Sequence, residues 1–215
     1  MPEIKVLIVE DETIIALDLK RILSGAGYAV TAIANNGQEA IDSVATAPPE
    51  AVLMDIGLSG GMDGIQASQR ILEQIDVPII FVTANSDLAT VQKSQNASPF
   101  GYVLKPFDER EISIVVAMAL FKHKADKEVK ESQRWLTATL RSIGEGVIAT
   151  DEKGSVKFMN FVAERLSGWK EAEASGKPSS EVFKIVNRQT RQAIVNPVES
   201  ALHNKQAISY VNMTS

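Results

Sequence analysis

Residues 4–9 read IKVLIV, a short run of apolar and β-branched residues that ends abruptly in the acids Glu10 and Asp11. A run of that length with no polar alternation suits a strand buried on both faces. Thr13 to Ala26 then reads as a helix: Ile15, Leu19 and Ile22 fall at i, i+4 and i+7, and Gly25 and Gly27 supply a stop. The alternation repeats. Strands are expected at Tyr28–Ala34, Ala51–Met54, Val77–Val82 and Gly101–Leu104. Helices are expected after Asn35-Asn36-Gly37 to Ala45, over Gly64–Ile75, from about Asp87, and from near Asp108. Five β/α units of this length make a doubly wound α/β fold on a parallel sheet. Such sheets bind ligands outside the carboxyl ends of their strands.

The residues placed on that edge are Glu10 and Asp11 after the first strand, Asp55 after the third, Thr83 after the fourth and Lys105 after the fifth. An Asp after a single strand is ordinarily a turn or cap residue. Three acids, a hydroxyl and an amine at successive strand ends are a different matter. Carboxylates so close together must hold protons or a cation, and an oxygen donor set open to phosphate favours Mg²⁺. The cation would leave Asp55 ionised as a nucleophile. Lys105 and Thr83 are the groups that would stabilise charge on a transferring phosphoryl group. Ala84 and Gly57 are small and leave room for a donor.

The segments VLIVEDE, LMDIGL, FVTA and GYVLKPF, in this order, resemble the four signatures of the response-regulator receiver family over residues 3–122. The resemblance implies a flavodoxin-like strand order 2-1-3-4-5 and Asp55 as the residue phosphorylated by a partner histidine kinase. It implies Mg²⁺ or Mn²⁺ on Asp11, Asp55 and the Gly57 carbonyl, with Glu10 acting through water. Thr83 and Lys105 would bind phosphoryl oxygens, Thr83 and Tyr102 would form the switch, and Lys105–Pro106 would be cis. Output would pass through the face of the fourth helix, fifth strand and fifth helix. Two departures stand out: Glu10 replaces the commoner Asp, and the loop IGLSGGMDG after Asp55 lacks the usual Pro and is one residue longer.

From Phe121 to Arg134 the chain is rich in Lys and Glu, and Val129, Leu136, Leu140 and Ile143 form a short apolar stripe. One long helix is expected to leave the first domain and enter a second, with residues 123–143 as linker. The stripe reads equally as a packed face or as a homodimer seam. The second domain, residues 144–215, opens with two strands, GVIATD and SVKFMN, around the turn Asp151-Glu152-Lys153-Gly154. A longer helix is expected from Arg188 to Asn204, then a strand-like AISYVNMTS. SIGEGVIATDEKGSVKFMNFVAERLSGW, GKPSSEVFKIV and NPVESAL resemble a PAS sensor domain. That family's α+β fold has a five-stranded antiparallel sheet, so its last two strands are expected beyond Ser215, and the chain reads as part of a longer protein, such as a sensory histidine kinase or another PAS-containing regulator.

Composition narrows the chemistry. The absence of Cys excludes thiolate metal sites, disulfides and a flavin–cysteinyl photosensor. A net charge of −5 disfavours electrostatic nucleic-acid binding. No signal peptide or membrane-length apolar run occurs, and a cytoplasmic location is expected. A PAS ligand is not identifiable; haem on His203 is disfavoured against a surface histidine, and His123 reads as a solvated helix residue. Trp135 and Trp169 read as packing residues, and Met54 and Met118 as core. A haloacid-dehalogenase-like phosphatase would need Asp-x-Asp where Glu10-Asp11-Glu12-Thr13 stands. A dinucleotide binder would need a Gly-rich loop where the acids lie.

Overall fold

The structure is a computed structural model and describes residues 3–84 and 100–184, together with 190, 192 and 198. It divides into two compact units, Met1–Val129 and Lys130–Ser215. In the first unit β1 (Lys5–Val9), β2 (Ala29–Ala34), β3 (Ala51–Asp55), β4 (Ile79–Thr83) and β5 (Gly101–Leu104) alternate with α1 (Thr13–Gly25), α2 (Gly37–Thr46) and α3 (Gly64–Gln74); α4 (Glu109–Ser142) follows β5, its residues from Lys130 on belonging to the second unit. The sheet order is β2-β1-β3-β4-β5, every pair parallel. The expected order 2-1-3-4-5 is therefore observed. The helix expected from Asp87 lies outside the described residues.

Successive residues of each strand serve opposite faces, which gives two apolar layers. Leu7, Val9, Val52, Met54 and Phe81 pack beneath α2 and α3 with Ile41, Val44, Ile65 and Ile71. Val6, Ile8, Leu53, Ile80, Val82 and Val103 pack beneath α1 and α4 with Leu19, Ile22, Ile112 and Val116. Each such aliphatic or aromatic side chain contributes about 1.5–3 kcal/mol on full burial. This double burial is why the strands read as unbroken apolar runs.

The ends of the elements follow from local hydrogen bonding. The first helix closes with Tyr28 N donating to Leu23 O and Gly27 N to Ser24 O, around Gly27 at φ 85°. Tyr28 thus serves the helix, and β2 starts one residue later than its apolar pattern suggests. Asn36 caps α2 by accepting from Glu39 N at 2.9 Å, and Asp63 and Gln66 form a reciprocal capping box on α3. Pro78 lacks an N–H, and β4 begins after it.

Helix α4 runs 34 residues, as one continuous helix was expected to. Ile112, Val116 and Ala119 face the sheet. Met118 does not join the core as expected: it is 65% exposed, because two residues beyond Val116 is the opposite side of a helix.

In the second unit β6 (Ile148–Thr150) and β7 (Val156–Met159) form the expected antiparallel hairpin, followed by α5 (Phe161–Ser167), α6 (Glu171–Ala174) and α7 (Ser179–Val182). Asp151 Oδ1 accepts from the N–H groups of Lys153 and Ser155, both at 3.0 Å, and fixes the turn. Val156, Met159, Ala163, Ala174 and Val182 form a small core that includes Ile148 and Trp169 at its edge. Trp135, expected to pack, is 70% exposed. Most of the anticipated 188–204 helix, with His203 and the final strand, lies outside the described residues; of that span only 190, 192 and 198 are described.

Buried Asn160 organises this unit. Its Oδ1 accepts from Val147 N and Ala163 N, both at 2.9 Å, and its Nδ2 donates to the carbonyls of Glu145, Leu140 and Ile143 at 2.8, 3.2 and 3.3 Å. One side chain thereby caps α5 and ties the end of α4 to the hairpin.

Candidate functional site

The strand register brings the predicted residues together. Val9 pairs with Met54, Asp55 with Val82 and Thr83 with Leu104. Glu10, Asp55, Thr83 and Lys105 therefore stand side by side at one edge, where each strand stops. Lys105 N donates to Thr83 O at 2.8 Å and Glu10 N to Ala34 O at 3.0 Å, extending the ladder to the site itself. The Lys105–Pro106 peptide is cis, as the resemblance implies.

Lys105 Nζ is the hub of the charges. It lies 2.8 Å from Asp55 Oδ2, and 3.1 and 2.8 Å from the two oxygens of Glu10. Only the longer Glu10 contact, to Oε1, has hydrogen-bond geometry, so the fully buried Glu10 Oε2 has no hydrogen-bond partner. Burial pushes the Glu10 carboxyl up to about 7; the hydrogen bond from Lys105 opposes this and the charge of Asp55 adds to it. Burial also works against the Lys105 ammonium, but its hydrogen bonds to Asp55 and Glu10 outweigh that and hold it above the ordinary lysine value.

Glu10, Asp11 and Asp55 each offer a carboxylate oxygen within 4.8 Å of the others. Only oxygen donors converge here, which suits a hard divalent cation such as Mg²⁺. The buried Glu10 Oε2, in ion-pair contact with Lys105 but without a hydrogen bond, is the feature such a cation, or a water bound to it, would satisfy. Gly57, whose carbonyl is the further expected ligand, donates its N–H to Asp55 Oδ1 at 3.1 Å and so orients the Asp55 carboxylate.

Thr83 is buried and donates its hydroxyl to Ala84 O at 3.0 Å. Tyr102 stacks on buried Phe81 with ring centroids 6.1 Å apart and remains 37% exposed.

Two contributors escaped the sequence reading. Ser59 donates both its N–H and its Oγ–H to Asp11 Oδ2, at 3.1 and 2.7 Å, and these bonds hold the Asp11 carboxyl below the ordinary range. The only signal was a hydroxyl residue inside the atypical loop. Gly64 begins α3 hard against β3: a Cβ there would collide with the backbone carbonyl oxygen of Asp55.

Comparison with known proteins agrees with this geometry. The family model for the response regulator receiver domain matches residues 6–117, and that for the PAS fold matches residues 136–210. The transcriptional regulatory protein PdtaR of Mycobacterium tuberculosis is 32% identical over 120 residues, covering 56% of this chain and 58% of PdtaR. The phyllosphere-induced regulator PhyR of Methylorubrum extorquens is 33% identical over 118 residues, covering 54% of this chain and 43% of PhyR. The match therefore spans little more than half of one relative and less than half of the other. Among solved structures, the receiver domain of a modulated diguanylate cyclase from Desulfovibrio desulfuricans is 35% identical with a TM-score of 0.55, covering 58% of this chain and 98% of that one. The N-terminal domain of a response regulator/sensory box/GGDEF three-domain protein from Carboxydothermus hydrogenoformans is 37% identical with a TM-score of 0.53, covering 57% and 98%. Among the described residues no helix is long and apolar enough to cross a membrane. The chain belongs to the response-regulator receiver family, with a PAS domain after the receiver, the arrangement of a two-component signalling protein.

Proposed function

We propose that the first unit is a phosphoacceptor switch in which Asp55 takes a phosphoryl group from a histidine kinase. The observation that carries this reading is Asp55 at the end of β3, 2.8 Å from Lys105 Nζ, with Glu10 and Asp11 completing a carboxylate triad. An Asp55 oxygen attacks the phosphorus of a phosphohistidine. The O–P bond forms as the P–N bond breaks, and the imidazole leaves with a proton from solvent. Mg²⁺ or Mn²⁺, held by Asp11, Asp55 and the Gly57 carbonyl with Glu10 behind them, would supply positive charge for the equatorial phosphoryl oxygens.

Lys105 moves from pairing with Asp55 to pairing with a phosphoryl oxygen on the same carboxylate. Thr83 must turn its hydroxyl from Ala84 O to bind another. Tyr102, stacked on Phe81, reorients as the Thr moves. The change reaches the face containing β5 and α4, and α4 carries it toward the PAS part of the chain. Exposed Ile114, Met118 and Phe121 on α4, opposite its sheet-packed side, support a homodimer seam there.

The test is incubation of the full chain with Mg²⁺ and a small acyl phosphate, followed by intact mass. A hydroxylamine-labile gain of one phosphoryl group is expected, and none in Asp55→Ala. An undiminished gain in the variant refutes the assignment.

A further inference from the structure

We infer that Ser59 is a positioning residue for the cation site, holding Asp11 in the orientation in which it meets the metal. The inference rests on the phosphoacceptor reading above and concerns how that site is tuned. Lys105 serves Asp55 and Glu10, the two buried acids. Asp11 is more exposed and takes its hydrogen bonds from the loop after Asp55.

Both Ser59 bonds fall on Oδ2, so Oδ1 keeps its lone pairs for a cation. Two donors from one residue also fix the rotation of the carboxylate, which a single bond would leave free. Ordering a ligand before the metal arrives removes part of the entropic cost of binding.

The atypical loop makes this contact possible. Gly60 and Gly61 sit at φ 101° and 87°, a left-handed pair that suits glycine. They let the chain reverse directly after Ser59 and then enter the Asp63 cap of α3. The backbone half of the clamp needs an N–H, which a proline at 59 would lack. The missing proline and the Gly-Gly pair thus have one common consequence, a tether between the end of β1 and the β3–α3 loop.

Because the Ser59 bonds are exposed, the effect belongs at the low end for residues that orient metal ligands, about tenfold in affinity. The experiment is Mn²⁺ binding to the full chain at pH 8, read as loss of the free-ion electron paramagnetic resonance signal. Wild type, Ser59→Ala and Ser59→Thr are compared, with melting curves in EDTA alongside. Ser59→Ala should bind Mn²⁺ about tenfold more weakly with an unchanged metal-free melt, and Ser59→Thr, which keeps both donors, should bind within about twofold of wild type. Equal binding by wild type and Ser59→Ala overturns the inference, as does a Ser59→Thr as weak as Ser59→Ala. Either result leaves the phosphoacceptor reading standing if Asp55 still gains its acyl-phosphate adduct. A wild type that takes up no Mn²⁺ overturns both.

Discussion

Mg²⁺ binding should release a proton from Glu10 at mildly acidic pH. In the folded, metal-free chain this carboxyl titrates near 7 instead of 4.5, chiefly through burial. A cation needs the carboxylate form, so below about pH 7 it must displace the proton first. At pH 6 about nine-tenths of Glu10 is protonated, and at pH 8 about one-tenth. Apparent Mg²⁺ affinity should therefore be flat above pH 7 and fall toward tenfold per pH unit below it, about 1.4 kcal/mol each. Calorimetric titration at pH 6 in buffers of differing ionisation enthalpy should count close to one proton released per Mg²⁺, and about a tenth of one at pH 8. Glu10→Gln should abolish the difference. The same shift has a signed effect on stability. The folded state binds the proton more tightly than the unfolded state, so this stabilisation is fully present below pH 4.5 and is lost as pH rises through 7. It amounts to about 3 kcal/mol for a shift of this size. A metal affinity with no inflection between pH 5 and 8, or proton release unchanged in Glu10→Gln, would refute the idea that burial holds Glu10 protonated.

Gly64→Ala should destabilise the first unit by more than about 2 kcal/mol, since the new methyl group meets the rigid Asp55 carbonyl; a chemical-denaturation midpoint equal to wild type contradicts the close approach. Asn160→Ala removes five hydrogen bonds around a buried position and should lower the stability of the second unit by about 2–4 kcal/mol, seen as loss of exchange protection in residues 147–163 with residues 5–55 unaffected. Sedimentation should give a dimer for the full chain and a monomer for Phe121→Glu, whose ring is exposed on α4; a monomeric wild type removes the seam.

The fold and most of the site were legible for one reason. In a doubly covered parallel sheet the apolar run must stop where the strand leaves the core, so the first polar residue after each run marks the functional edge. Glu10, Asp55, Thr83 and Lys105 were placed by that rule alone, and the register of β1, β3, β4 and β5 brings them together. Features without a period were not legible. The Ser59 clamp depends on the backbone path through Gly60 and Gly61, and Asn160 acts through hydrogen bonds to backbone groups that leave no trace in residue type. Met118 was misplaced because α4 is apolar on two opposite sides, one packed on the sheet and one exposed, and composition cannot tell them apart. Trp135 failed likewise: bulk predicts packing only where a partner surface exists.

The charges at the strand edge also explain why cation and phosphoryl group should arrive together. With Glu10 protonated, Asp55, Asp11 and Lys105 leave the site at a net −1, and its ammonium is already committed to Asp55. A phosphoryl donor is itself anionic and would meet a site with no spare positive charge. A divalent cation that displaces the Glu10 proton brings the four side chains and the metal to zero. Lys105 is then free to leave Asp55 for a phosphoryl oxygen, since the metal takes over its neutralising role. On this account Lys105→Met should do more than remove one phosphoryl contact. It should strip the site of its internal counter-ion, so Mg²⁺ should bind at least as tightly as in wild type while phosphoryl uptake falls steeply. Retained Mg²⁺ affinity beside lost phosphoryl uptake in one variant separates this account from simple misfolding, which would weaken both.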